Sequence, residues 1–374
     1  MRRMLIVLLA VGLLAGACGE SKSPADDPKG ALVSAFEGLT EKDGGSVTFS
    51  IQSDAASLVT LSEEGEGSPI DTEVAEKILS SSISLAGNNE KDPKDAKVEI
   101  LVNIGGEDAI ELRLLDYVLY LRAELPYIVE TFGQDPAGLE KTKKETSGKP
   151  GFEFVAPLID GEWIALQGLE EMQKAGGASP QQLTAQQQKL FKELTAAIEQ
   201  DAKVTNEGID DAGDHLLVSI PLRKAYEDFQ KFATDLAGSL PTGGANGLPD
   251  ASEIPDEDAL IDMWVKDGEL TQIEFDIVKN KALLPEAPPE GVEKVAFRLA
   301  FADFDGEVEV PEGATDVNLQ QLMGTFLGGL GGTTTEASEG GEAGEAGEID
   351  CSLYADAGPE VKQALVSQCP EFAN

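Results

Sequence analysis

Lys97–Leu125 reads KVEILVNIGGEDAIELRLLDYVLYLRAEL, and the rhythm of this stretch decides the fold. Val98, Ile100, Val102 and Ile104 lie two residues apart within Lys97–Ile104, and Gly105-Gly106-Glu107-Asp108 then breaks the run. The spacing resumes with Ile110, Leu112 and Leu114 in Ala109–Leu115, and after Asp116 the run Tyr117–Arg122 follows. A period of two sends alternate side chains to opposite faces of a strand, and Gly/Asp breaks between such runs are turns. The stretch is therefore an antiparallel meander with one apolar and one polar face, which suits a sheet covered on one side.

Upstream, Ala31–Thr40 carries Leu32, Val33, Phe36 and Leu39 at helical spacing and ends before Gly44-Gly45. Ser46–Ser53 alternates Val47, Phe49 and Ile51 with polar residues, and Ser82–Leu85 presents Ile83 and Leu85. Downstream, Pro126–Phe132 predicts a short helix, Gln134–Gly151 a loop and Gly161–Leu166 a strand. Ser179-Pro180 opens a long helix with the stripe Leu183, Leu190, Phe191, Leu194 and Ile198. His215–Ile220 reads as a strand, and Leu222–Leu240 as a helix with Tyr226, Phe229, Phe232 and Leu236 on one face. After the Gly/Pro-rich acidic loop Pro241–Pro255, a second meander comprises Ala259–Val265, Leu270–Val278 and Lys294–Phe304, with Asp267-Gly268 at its first hairpin. Pro311–Thr315 and Val317–Leu327 close the domain. The expected fold class is α+β, a curled antiparallel sheet (a half-barrel) packed over several helices.

The composition sets the chemistry that this fold can carry. Of 374 residues, 69 are Asp or Glu, 28 are Lys or Arg and one is His, a net charge of −41 with 41% hydrophobic residues. Apolar content near the globular norm supports a core. The shortage of clustered Lys and Arg argues against nucleic-acid partners and against a polybasic membrane patch. His215 is the single histidine, so neither a His-rich metal site nor a Ser-His-Asp triad stands out. The acidic clusters at Glu63-Glu64, Asp210-Asp211 and Asp256-Glu257-Asp258 lack the alternating loop of a calcium site and read as solvated surface, so no metal or other cofactor is expected. Carboxylates abound, but no spacing singles out an acid–base pair, and an enzyme is not expected.

The two ends of the chain speak to its address. Residues 1–17 have the form of a secretory signal: Arg2-Arg3, the apolar run Leu5–Leu14, then Ala15-Gly16-Ala17. About ten apolar residues are too few to span a hydrocarbon core of about 30 Å. Cutting before Cys18 removes two arginines and no acid, and takes the net charge from −41 to −43. Leu13–Gly19 is similar to the cleavage box of bacterial lipoproteins, which implies acylation of Cys18 by palmitate-type chains. An ordinary A-x-A cut at the same bond would instead leave a free thiol there. Residues 18–30, with Pro24 and Pro28, form a tether, 31–327 the main domain, 328–348 a Gly/Glu-rich flexible linker and 349–374 a tail. In an oxidising compartment Cys351 and Cys369 pair as a disulfide, whose loop closure contributes roughly 3 kcal/mol in the chain-entropy model.

The Ala31–Gly45 helix running into Ser46–Ser53, YVLYLRAEL at 117–125, DGEWIAL at 160–166 and DMWVKDGELTQIEFDI at 262–277 resemble the actinobacterial lipoproteins of the LppX/LprG type. The resemblance spans about residues 30–320 and implies a LolA-like half-barrel with an apolar cavity between sheet and helices. It implies a protein anchored to the outer face of the cell membrane by its N-terminal lipid, binding a lipid or lipoglycan and carrying it within the envelope, with an unknown envelope protein as partner. Positions that would face such a cavity are Phe49, Ile51, Ile100, Val102, Leu112, Leu114, Phe275 and Ile277, each of which also serves as plain core. Trp163 and Trp264, beside Asp-Gly turns, read as packing residues. The alternative function is a cell-surface adaptor with a closed core, and a cavity of roughly a few hundred Å³ separates the two.

Replacing Cys18 by Ala should move the protein from the membrane fraction to the soluble one, with loss of acyl mass in the intact protein. Alkylation of the unreduced, denatured chain should label neither Cys351 nor Cys369.

Overall fold

Twelve strands join into one open sheet because a strand from the start of the domain pairs with one from its end. In chain order the elements are α1 (Pro28–Leu39), β1 (Gly44–Ser53), α2 (Ala55–Glu63), α3 (Thr72–Leu79), β2 (Ser82–Asn88), β3 (Val98–Ile104), β4 (Glu107–Leu115) and β5 (Val118–Ala123). These are followed by α4 (Leu125–Thr131), α5 (Ala137–Thr146), α6 (Val155–Ile159), β6 (Ile164–Gln167), β7 (Lys203–Asp210) and β8 (Gly213–Pro221). The last are β9 (Asp258–Lys266), β10 (Glu269–Asp276), β11 (Val295–Ala302) and β12 (Thr315–Asn318). The computed structural model describes residues 24–39, 42, 44–63, 69–88, 90, 94–149, 151–170, 195–196, 198–227, 230, 251–284, 287–304 and 308–319. The chain divides into two units, Met1–Phe326 and Leu327–Asn374, and all described residues belong to the first.

The strand order is β12-β6-β5-β4-β3-β2-β1-β11-β10-β9-β8-β7, so two antiparallel meanders meet at β1 and β11. Ser46 to Ser53 pair with Ala302 to Val295, and on its other edge β1 pairs with β2 from Gly44–Asn88 to Ser50–Ser82. The curled antiparallel sheet of the expected α+β class is present, with one departure: β12 runs parallel to β6. Hairpin β9–β10 turns at Asp267-Gly268, both at positive φ (55° and 85°), the twist that a two-residue loop needs between right-twisted strands.

Because register opposes like faces, the apolar positions line up as rows across the sheet. Leu216, Met263, Ile273, Leu299, Phe49, Ile83, Val102 and Ile110 form one such row through eight consecutive strands. Helix α1 covers one end of this face, placing Leu32, Val33, Ala35, Phe36 and Leu39 in a cluster with Leu216, Val218, Met263, Val265, Ile273 and Leu299. A second, smaller cluster joins Leu58 of α2 and Ala75 of α3 to Ile277, Val292 and Val295.

Several elements depart from the sequence expectation. Gln134–Gly151, expected as a loop, contains α5; this helix buries no residue, so periodicity had no stripe to detect. It rests on helix-forming Ala, Leu, Glu and Lys, an Asp135 carboxylate bonded to the Ala137 N–H at 2.9 Å, and a Lys143–Asp160 ion pair. Helices α2 and α3 and the exposed edge strand β7 were not foreseen. Ile277, expected inside a strand, follows the end of β10. Helical residues run from 222 to 227, with Tyr226 buried; Phe229, Phe232, Leu236 and the stripe residues Leu183 to Leu194 lie outside the described residues, as do Cys18, Cys351 and Cys369.

Phe36 is 2% exposed at the centre of the α1 cluster. Phe36→Ala should lower unfolding stability by about 3–5 kcal/mol, seen as a shift of the urea midpoint at unchanged slope.

Candidate functional site

Helices α2 and α3 bridge β1 and β2, and local capping builds both. The Asp54 carboxylate accepts the Ser57 N–H at 2.8 Å and the Ser57 hydroxyl at 2.6 Å, and these bonds hold its pKa below the usual carboxylate range. Asp71 caps α3 by accepting the Val74 N–H at 2.9 Å, and Glu73 pairs with Lys77 one turn on at 3.0 Å. Between the helices, Ser62 Oγ accepts the Ile70 N–H at 3.0 Å and fixes the approach to α3. At the end of α3, Ser81 Oγ donates to the Lys77 carbonyl at 2.6 Å and accepts the Gly105 N–H at 2.9 Å, tying the helix to the β3–β4 turn. The Tyr127 hydroxyl donates to the Ile104 carbonyl at 2.7 Å and fastens α4 to the same end of β3.

These ties leave a gap between helices and sheet. An apolar cavity of about 240 Å³, open on one side, is floored by Phe49, Ile51, Ile83, Val102 and Ile104 and walled by Val74 and Ile78 of α3 and by Thr131 and Phe132 at the end of α4. Ile83 is 47% and Phe132 59% exposed. Large apolar side chains left so open beside a cavity mark a surface that gains by being covered. Lys77 is the one charged side chain among the described residues lining the cavity.

The structure brings Phe49, Ile51 and Val102 together in this cavity. Ile100, Leu112 and Leu114 share the apolar face and are half-buried, but lie outside the cavity lining. Phe275 packs against the smaller core and Ile277, 5% exposed, belongs to it, so both act as core. Sequence reading missed Val74, Lys77 and Ile78. Their signal was present in Asp71 followed by Val74 and Ile78 with Glu73 and Lys77 four apart, a capped helix of barely two turns that is too short for a strong period.

The opposite face of the sheet carries paired charges. Glu274 accepts from Arg298, its register partner on β11, at 3.0 Å and from Lys294 at 2.5 Å; Glu111 bonds Arg113 and Arg122, whose guanidinium groups sit 5.0 and 5.5 Å from the Trp163 ring centre. Asp262, 2% exposed, accepts from Lys279 at 2.7 Å and shares a hydrogen bond with His215 Nε2 at 2.7 Å. His215 stacks on Trp264 with centroids 4.5 Å apart, and the Trp264 N–H donates to Asp210, holding that carboxyl below its ordinary pKa. These groups satisfy one another across the polar face. A second opening of about 360 Å³ at the β4–β5 turn is lined mostly by polar groups, Asp116, Gln167, Glu170 and Asn318 beside Tyr117 and Val118, and suits an acyl chain less well.

No protein family and no curated protein matched the chain in comparisons with known proteins. Among solved structures, the crystal structure of the Mycobacterium tuberculosis lipoprotein LppX matched 76% of this chain and all of that one, at 9% identity and a TM-score of 0.30. With a likeness that slight, the ligand question turns on the cavity's own residues.

Val102→Trp should fill the cavity with little loss of thermal stability, because its side chain has empty space to enter. Ile277→Trp, forced into packed core, should cost roughly 1–3 kcal/mol in the same denaturation assay.

Proposed function

We propose that this protein is an extracytoplasmic lipoprotein, held on the outer face of the cell membrane by acylated Cys18, that binds an acyl-chain lipid or lipoglycan and carries or presents it in the envelope. The observation behind this reading is the open apolar cavity over β1–β3, with Ile83 and Phe132 exposed beside it. Each methylene buried there would contribute about 0.8 kcal/mol, so a handful of chain carbons supplies several kcal/mol toward the cost of association. A polar metabolite would gain nothing from that lining. A closed-core adaptor would have no reason to keep the space.

Membrane attachment is assigned to acyl chains on Cys18; among the described residues no helix is long and apolar enough to cross a bilayer. We assign no catalytic step, cofactor or nucleic-acid partner. An envelope protein that delivers or receives the lipid completes the proposal.

Native mass spectrometry of the protein extracted from its own membrane should show a retained lipid besides the N-terminal anchor, and Val102→Trp should remove it. A wild-type chain that carries no lipid and takes up none from mixed micelles would overturn the reading.

A further inference from the structure

We infer that the cavity takes one acyl chain of a single-chain amphiphile, and that Lys77 receives an anionic headgroup at its mouth. This rests on the lipid-binding reading and narrows it to a ligand class. Size gives the first part. A volume of about 240 Å³ falls below the roughly 300–1,000 Å³ of sites that enclose drug-sized ligands. The walls are tied in ways that resist widening: Ser81 bonds the end of α3 to Gly105, Tyr127 bonds α4 to Ile104, and Ala75, fully buried, locks α3 into the smaller core. One chain fits where two parallel tails would have to part helix from sheet.

Charge gives the second part. Lys77 lines the cavity, its stem runs beside Gly105, close to where a side chain there would begin, and its ammonium pairs with the exposed Glu73, the usual posture of a long cationic side chain at an apolar boundary. Its partner Glu73 is 77% exposed and bonded to it at 3.0 Å, a solvated pair that an incoming anion displaces at small cost. The chain carries a net charge of −41 and would repel an anionic amphiphile from most of its surface. The Lys77 ammonium, the one charged group lining the cavity among the described residues, is what lets an anionic head settle there, through charge-assisted hydrogen bonds from Nζ. The shared chemistry is a carboxylate or a phosphate on one chain, as in a free fatty acid or a lysophospholipid.

The test is displacement of a fluorescent fatty-acid probe from the delipidated full chain, below micelle-forming concentrations. Dodecanoate and dodecyl phosphate should each bind about tenfold more tightly than dodecanol, and the tighter of the two names the source. In Lys77→Met the ratio of anionic to dodecanol affinity should fall to about one, and dodecanol should still bind, which also reports an intact cavity. In Lys77→Glu, dodecyltrimethylammonium should become the preferred ligand. Didodecyl phosphate should compete less well than dodecyl phosphate in the wild type. Equal affinity for charged and neutral heads, a preference that survives Lys77→Met, or stronger binding of the two-chain phosphate would overturn this inference while leaving acyl binding intact. Failure of every amphiphile to displace the probe, or of the probe to bind, would instead remove the function on which it rests.

Discussion

The pairing of β1 with β11 holds the structure together. Ser46 donates its hydroxyl to the Ala302 carbonyl across 256 residues of chain, and the register continues unbroken to Ser53–Val295. Closing so long a loop has an entropic cost that grows only slowly with length but must be met before the contacts are gained. What offsets it is burial on the apolar face. Phe49 lies opposite Leu299, stacks on Phe297 with ring centres 6.0 Å apart, and floors the cavity. A single side chain on the joining strand thus belongs to the fold and to the candidate site at once.

The two faces of the sheet divide the labour. On the polar side, Glu274 with Arg298, Glu111 with Arg122 and Glu99 with Arg113 stand directly opposite one another in register, where cross-strand charge pairs contribute most. Thr48 and Ser84 add a hydroxyl pair at 2.9 Å on the same face. Buried carboxylates such as Asp262 and Glu274 are tolerable because each meets two cationic or proton-bearing partners, and removing one partner would strand a charge. With the polar groups spoken for there, the opposite face is left for apolar contacts and for the cavity.

That cavity exists because short helices cover the apolar face unevenly. Helix α1 meets β10 closely, and α2 with α3 seal the neighbouring strands through Leu58 and Ala75. Among the described residues, the cover beyond α3 stops short of α4. Val74 and Ile78 reach one wall and Phe132 the other, with Phe49, Ile83 and Val102 of β1 to β3 lining the space between them.

Much of the sheet was legible because a period of two survives in any strand with one wet face. The meander 97–122, the strand Ser46–Ser53 and the Asp267-Gly268 hairpin follow from residue spacing and turn chemistry alone, since both act over a few neighbouring residues. Which apolar residues would line a cavity was not legible. Phe49 and Phe275 have the same strand pattern and the same side chain, yet one floors the cavity and the other fills the smaller core. The difference lies in what packs above them, α3's ragged edge in one case and the 277–295 segment in the other, and that is set by contacts between segments far apart in the chain. Helix α5 escaped notice because it buries nothing, and α3 because two turns hold too little periodicity. The sequence by itself determined most of the strands, their wet and dry faces and the acidic surface, all of which are local properties. Tertiary structure alone decided that β1 joins the two meanders, that Lys77 stands at a cavity, and that Phe49 and Val102 line it, because each depends on which distant surfaces meet and how closely they fit.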